Sequence, residues 1–162
     1  LGTLLAVILV FRREILCMIQ APLAAMNGSA DQESHRYLLW DGYVVAATLP
    51  AVVVGLLLKD SIESIFTSTS LVYSMLAVTG VLMLLARSIP EGSKALNLPR
   101  GVAMGCAQAL AIMPGLSRSG STIFTGMALG VNREVVARFS FIMSIPAILG
   151  AVVLQGNESP RG

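Results

Sequence analysis

The composition of this chain excludes an ordinary soluble domain. Of its 162 residues, 55% are hydrophobic and only 12% are charged, whereas soluble domains carry about 25% charged residues. The net charge of +2 is too small to indicate a nucleic-acid partner. The mean hydropathy of +0.78 agrees with the low charge, so we predict an all-α, polytopic helical membrane protein. The two cysteines, Cys17 and Cys106, are expected to be free packing residues.

The first half of the chain predicts a partial span, a connection and two complete spans. Residues 1–11 are apolar but too short to cross a bilayer alone, since a spanning helix needs about 20 residues. Because the sequence opens inside this apolar run, we expect the chain to be a fragment. The polar residues 12–39 predict an amphipathic or loop connection on the cytoplasmic side. Two apolar stretches then predict spans at 40–58 and 71–87.

The segment at 101–130 predicts a re-entrant helix-loop-helix hairpin. Residues 101–113 are apolar but would reach only about 20 Å as a helix, short of the ~30 Å hydrocarbon core. A polar break at 114–121 and a second short apolar stretch at 122–130 follow. Neither half spans alone, and non-helical backbone at membrane depth is tolerated only where protein or a water-filled cavity satisfies it. A last span is predicted at 137–154.

Four glycines in the hairpin have the spacing of helix contacts. Gly101 and Gly105 lie four residues apart, as do Gly126 and Gly130. Such small-xxx-small pairs let helices approach closely. Glycine is also simply frequent in membrane helices, and the sequence leaves both interpretations open.

The basic residues indicate the orientation in the membrane. If the hairpin returns to the side that it left, eight Lys and Arg side chains lie on one face, and only Lys59 lies on the other. The positive-inside rule makes the face with eight cations cytoplasmic. The eight are Arg12, Arg13, Arg36, Arg87, Lys94, Arg100, Arg133 and Arg138.

The break at 114–121 carries the candidate site, with Arg118 at its centre. An arginine in a membrane segment costs roughly 2.5–3.5 kcal/mol on insertion scales, and its guanidinium can hold two phosphate oxygens in a planar fork. The hydroxyls and glycines around it would bind an oxyanion at the N-terminus of the second half-helix. The alternative is a cytoplasmic turn in which Arg118 is one more positive-inside charge. The hydroxyl and glycine residues around Arg118 are Ser117, Ser119, Ser121, Thr122, Gly115 and Gly120.

Two further polar residues have more than one interpretation. Gln108, ten residues before Arg118, would either orient a ligand or hydrogen-bond across helices as a structural contact. His35 is the only histidine and is interpreted as a solvated surface residue, since a role as a base would require its loop to fold into the cavity. The sequence contains no recognised metal or nucleotide signature, so no metal ligands are assigned.

The stretch Pro-Gly-Leu-Ser-Arg-Ser-Gly-Ser-Thr at 114–122 resembles the signature of the undecaprenyl-diphosphate phosphatase family, the bacitracin-resistance phosphatases. Every fixed position of the family pattern Pro-Gly-x-Ser-Arg-Ser-x-x-Thr matches. The flanking residues at 105–111 and 139–151 and the opening residues at 1–7 resemble the family as well. The resemblance therefore covers nearly the whole chain.

The resemblance implies a polytopic enzyme of the bacterial inner membrane, built from two inverted repeats that each contain a re-entrant hairpin. Such enzymes remove the terminal phosphate of undecaprenyl diphosphate, so that the lipid carrier is reused for peptidoglycan synthesis, and they confer bacitracin resistance. By this resemblance Arg118 clamps the diphosphate, while Ser117 and Thr122 hydrogen-bond phosphate oxygens. The other substrate-binding residues expected are Gln108, Gly115, Ser119, Gly120 and Ser121. The expected partners are the polyprenyl diphosphate and membrane lipids, with a homodimer left open.

The chain departs from the family at the N-terminal motif, in which paired acidic residues precede Ser-Ser-Thr-Gly-His. In the family this motif supplies the proposed nucleophile or base and the acidic groups associated with a divalent cation, Mg²⁺ or Ca²⁺. No such run occurs in this sequence, and the last spans of the family are not found either. The chain is therefore expected to carry half of a catalytic site, without the acidic ligands of the cation. His35 does not fill the gap.

Other functions are compatible with the same features. Broken half-helices around a midplane anion site also occur in transporters, so a lipid or anion translocase is the main alternative. Asp41 lies near the end of a predicted span and gives ion coupling only weak support. A structural membrane subunit without chemistry accounts least well for the cluster of Arg, Ser and Thr.

Overall fold

The computed structural model describes residue 2 and residues 9–26, 32–57 and 68–156. These residues form six α-helices, and their only β-type pairing is an isolated bridge. Most of the predicted partial span at 1–11 lies outside the described residues, as do residues 58–67 between the two predicted spans. The helices are α1 (Arg12–Met26), α2 (Gln32–Leu57), α3 (Thr69–Ser88), α4 (Leu98–Leu110), α5 (Arg118–Ala128) and α6 (Arg133–Gly156).

The predicted connection at 12–39 contains more helix than a loop would. Most of it belongs to α1 and to the first turns of α2, which begins at Gln32, before the predicted start at Trp40. Its polar residues are compatible with helix, since Gln, Glu and Arg are good helix formers. Glu14 also lies in the first turn of α1, where a carboxylate interacts favourably with the helix dipole.

Two described helices are long and apolar enough to cross a membrane. They are Arg36–Leu57 within α2 and the whole of α3 at Thr69–Ser88. None of the residues of α3 is buried, and large apolar side chains such as Leu76, Val81 and Leu84 are exposed. Exposed leucines and valines on such a helix fit a lipid environment. The described chain is therefore an all-α membrane protein.

The core lies where α2, α4, α5 and α6 meet. Its largest fully buried side chains include Met104 of α4 with Phe139 and Met143 of α6. The Trp40 ring packs edge-on against Phe139, with ring centroids 5.9 Å apart. This core holds the two short helices, α4 and α5, against the longer ones.

The glycines at 105 and 126 are close helix contacts. A Cβ at Gly105 would overlap the carbonyl of Ala47 in α2, and a Cβ at Gly126 would lie 2.6 Å from Val136 of α6. Gly130 has a different role, because its φ is +78° and the amides of Gly130 and Val131 bond back to α5 in a Schellman arrangement. Gly105 and Gly126 therefore allow close packing between helices, whereas Gly130 ends α5.

The two cysteines are free, and they differ in exposure. Cys17 is partly buried, whereas Cys106 is exposed. The expected packing role is wrong for Cys106. It follows the buried Met104 by two residues, a spacing that places the two side chains on opposite sides of α4.

Both ends of the hairpin meet at one place. The amide of Lys94, before α4, donates to the carbonyl of Gly130, after α5, at 2.9 Å. Close by, the Glu91 carboxylate accepts from Asn132 Nδ2 at 3.0 Å and from the Arg133 amide at 2.9 Å. We call these contacts the basal clasp. Because of the clasp, the chain returns after α5 to the side from which α4 began.

Candidate functional site

The break between α4 and α5 comprises residues 111–117 and is built of tight turns. Successive amides bond three residues back, including Ile112 to Ala109 and Leu116 to Met113, each at 3.2 Å. Gly115 has φ +90°, and a Cβ there would lie 2.5 Å from the carbonyl of Val72 in α3. Both the backbone conformation and the space require glycine at this position.

Ser117 caps the N-terminus of α5. Its backbone is extended, and its Oγ accepts a hydrogen bond from the Gly120 amide at 3.1 Å. The backbone carbonyl of Ser117 accepts from the Ser121 amide at 2.9 Å. An N-cap serine satisfies one of the unpaired amides of the first turn, and its O–H remains able to donate. Ser117 can therefore shape the helix end and also bind an acceptor.

Arg118 is the first residue of α5, one position after the cap. It is partly buried, and none of the ion pairs among the described residues involves it. Helix geometry also leaves the amides of Arg118 and Ser119 without intrahelical partners. A guanidinium and free amides at a helix N-terminus are groups that favour a negative charge.

Gly120 and Ser121 lie in the first turn of α5, and both are buried. A Cβ at Gly120 would lie 3.1 Å from the methyl group of Met83 in α3, so glycine allows α3 to approach the cap. The Ser121 Oγ is buried and has no hydrogen-bond partner among the described residues. Three residues separate Ser121 from Arg118, a spacing that puts both on one face of α5.

The Thr122 side chain faces α6 and not the break. It is 1% exposed, and its Oγ1 lies 2.6 Å from Ser140 Oγ of α6 and 3.0 Å from the carbonyl of Arg118. Its hydroxyl thus links α5 to α6 rather than facing the break. Ser140 was not expected from the sequence, where it stands as one hydroxyl in an apolar span. Its burial at 4% and its pairing with Thr122 appear only in three dimensions.

Gln108 is a buried polar side chain of α4. It is 2% exposed, yet neither Nε2 nor Oε1 has a hydrogen-bond partner among the described residues. It shares a face of α4 with Met104 and Gly101, at spacings of four and seven residues. A buried amide without a partner is costly, so this arrangement favours a ligand or water over a direct contact between helices.

Replacing Gln108 with methionine is expected to have opposite effects on folding and on anion binding. The free energy of unfolding should rise by about 1 kcal/mol because no unpaired amide remains buried. The Kd for pyrophosphate should also rise, by about 5-fold to 10-fold, because a hydrogen bond to the ligand is lost. Denaturant unfolding and isothermal calorimetry measure the two. The exposed Gln20 of α1 offers a matched Gln-to-Met control, and a fall in stability at Gln108 would instead identify a structural contact.

The described residues do not form a divalent-cation site at the break. They contain no group of three or more His, Cys, Asp or Glu side chains that could hold a metal ion. Between residues 101 and 130 the sequence has no Asp, Glu or His, and hard divalent cations bind mainly through carboxylates and other oxygens. The unpaired Gln108 and Ser121 oxygens are neutral and too few. His35 lies in the first turn of α2, and its side chain lies outside the described part of the chain.

Thr79 of α3 is a site residue that sequence reasoning missed. Its Oγ1 accepts a hydrogen bond from the Ser117 amide at 3.0 Å and lies 3.1 Å from the carbonyl of Gly115. A lone threonine in an apolar helix gave no local signal, since 38 residues separate it from Ser117. The structure thus ties Gly115, Ser117 and Gly120 to α3 at the break, adds Thr79, and turns Thr122 toward α6. Gln108 lies in the last turn of α4, just before the break, without a partner among the described residues.

Comparison with known proteins gives one consistent result. The model of the bacitracin resistance protein BacA family matches residues 1–160. An undecaprenyl-diphosphatase of Methanobrevibacter smithii is 42% identical, over 96% of this chain and 60% of the relative. The undecaprenyl-diphosphatases of Rubrobacter xylanophilus and Desulforapulum autotrophicum are 41% and 39% identical, each over 98% of this chain. The chain spans about 60% of the length of these curated relatives.

Proposed function

The chain belongs to the bacitracin resistance protein family, and from this premise we propose that it carries the diphosphate-binding half of an undecaprenyl-diphosphatase. The reaction is hydrolysis of undecaprenyl diphosphate to undecaprenyl phosphate and inorganic phosphate. Release of the lipid carrier would support peptidoglycan synthesis and resistance to bacitracin. We place the protein in the inner membrane as a multi-pass protein, with its basic loops on the cytoplasmic side.

The observation that carries this proposal is the N-terminus of α5. Arg118 stands at the first helical position beside the cap Ser117, and the free amides and the helix dipole at this end favour a negative charge. The buried Ser121 and Gln108 side chains nearby in the hairpin lack partners among the described residues. An anion of several oxygens, such as a diphosphate, would satisfy groups of this kind.

In the proposed reaction an oxygen nucleophile attacks the terminal phosphorus, and the bond from that phosphorus to the bridging oxygen breaks. The electron pair of that bond leaves with undecaprenyl phosphate. Negative charge spreads over the phosphoryl oxygens during transfer. Arg118 would stabilise this charge, and the Ser117 hydroxyl and the α5 amides would orient the oxygens. We assign Thr122 a positioning role, since its hydroxyl is held by Ser140 and by the Arg118 carbonyl.

The hairpin supplies binding groups and no general base. Residues 101–130 contain no Asp, Glu or His, so we place the group that activates the nucleophile outside the hairpin. No step of the proposed reaction is assigned to a divalent cation, since the residues at the break do not fit one.

A chimera tests the proposed function. This chain would replace the matching 170-residue segment of the Methanobrevibacter smithii undecaprenyl-diphosphatase, and the product would be reconstituted in liposomes with a polyprenyl diphosphate. We expect release of inorganic phosphate above the rate of empty liposomes. The native relative is the positive control. Movement of the lipid between leaflets without phosphate release would overturn the proposal in favour of a translocase.

A further inference from the structure

Helix α3 touches the break along a single stripe. The partly buried residues of α3 include Val72, Met75, Thr79 and Ala86, whose spacing of three, four and seven residues places them on one face. Leu71 and Leu82 are also partly buried, the other residues of the helix are exposed, and none is fully buried. Within this stripe Ala86 packs against the core, whereas Val72, Met75 and Thr79 contact the break.

The break fits this stripe closely. A Cβ at Gly115 would lie 2.5 Å from the carbonyl of Val72 and 3.1 Å from Cβ of Met75. Two turns further along α3, Met83 lies against Gly120. Thr79 lies between these two contacts and meets the backbone at the point where the turn ends and the cap begins.

The Thr79 hydroxyl bridges two backbone groups that flank Leu116. It accepts from the Ser117 amide at 3.0 Å, and its own O–H is 3.1 Å from the Gly115 carbonyl and 3.0 Å from the Met75 carbonyl. One hydroxyl hydrogen serves one of these two carbonyls at a time. The bond from Ser117 is present in either case, so Thr79 always ties the residue before Arg118 to α3.

We infer that Thr79 is a positioning residue of the anion site, which acts through Ser117 and not by touching the ligand. The inference rests on the proposed function. An N-cap residue sets the direction of the first turn of its helix, and here that turn begins with Arg118. By holding the Ser117 amide, Thr79 fixes where the guanidinium and the free amides of α5 meet an oxyanion.

Loss of the hydroxyl leaves the Ser117 amide without its partner. A buried donor that loses its acceptor pulls the backbone toward another one, including water. We therefore expect Thr79→Val to weaken pyrophosphate binding about 10-fold, with Thr79→Ser close to the unchanged chain because serine keeps the oxygen. Valine has nearly the shape of threonine, so packing against Gly115 is retained.

The test uses the 162-residue chain in lipid nanodiscs, with pyrophosphate as the probe. Isothermal calorimetry gives the Kd, and NMR hydrogen exchange follows the Ser117 amide. Thr48→Val is the matched control. Among the described residues, the Thr48 hydroxyl of α2 bonds only to the Val44 carbonyl of its own helix, at 2.7 Å. We expect Thr79→Val alone to raise the Kd and to speed exchange at Ser117 by about 10-fold.

Each outcome bears on one claim. No binding of pyrophosphate by the unchanged chain would overturn the proposed function, while exchange at Ser117 would still report on Thr79. Faster exchange without a change in Kd would overturn the positioning role and leave only a structural bond. Equal effects of Thr79→Val and Thr48→Val, or no rescue by Thr79→Ser, would also overturn it.

Discussion

Replacing Arg118 with alanine should lower kcat/KM for phosphate release from a polyprenyl diphosphate by about 1,000-fold. Arg118 begins α5 and is the cation nearest the cap in the chain, so its loss removes the charge that faces the developing phosphoryl oxygens. Lysine should restore little of the activity, because an ammonium cannot reproduce the two parallel bonds of a guanidinium. The chimera with the Methanobrevibacter smithii relative provides the assay.

The control for this change is Arg87→Ala. Arg87 is an exposed arginine in the last turn of α3, away from the break. We expect its replacement to leave kcat/KM within about 2-fold, since an exposed charge is screened by solvent and salt. Equal losses for the two alanine variants would contradict the assignment of Arg118, and full rescue by lysine would contradict the bidentate contact.

Gly105→Ala should lower the free energy of unfolding more than any other substitution proposed for this chain. The expected loss is about 3 kcal/mol or more, the upper range for inserting a methyl group into a packed contact. The new Cβ would lie 2.7 Å from Cα of Ala47 and closer still to its carbonyl. Backbone atoms cannot move aside as a side chain does, so α2 and α4 would have to separate. Denaturant unfolding in detergent micelles measures the change.

Gly80→Ala is the matched control for this prediction. Gly80 lies within α3, and a Cβ there would meet nothing within 4 Å. Alanine is the better helix former by about 1 kcal/mol, so this variant should be as stable as the unchanged chain or more so. A neutral effect of Gly105→Ala as well would contradict the close contact between α2 and α4.

Much of the hairpin could be predicted because its signals are local. Two apolar stretches too short to span, a polar break and an arginine after it are all readable within thirty residues. The start of the second helix is different, because α5 begins at Arg118 with Ser117 as its cap, four residues before the predicted start at 122. The predicted oxyanion site therefore coincides with the start of a helix in the structure.

What could not be predicted depends on contacts between distant segments. Thr79 and Ser117 are 38 residues apart, and Thr122 and Ser140 are 18 apart. A hydroxyl in an apolar helix has the same local pattern whether it faces lipid, a ligand or another helix. The sequence thus grouped Thr122 with the phosphate contacts, whereas packing turns it toward α6.

The basal clasp also sets how deep the break can lie. With the clasp at one membrane face, as the proposed orientation has it, the depth of Arg118 would follow from the length of α4, whose 13 residues reach about 20 Å. If α4 stands near the membrane normal, that depth leaves roughly 10 Å of the ~30 Å hydrocarbon core beyond the break. A headgroup from the far leaflet would then reach Arg118 over about 10 Å, whereas one from the leaflet that holds the clasp would have to cover about 20 Å. In the proposed reaction this geometry would favour a diphosphate presented on the membrane face opposite the basic loops.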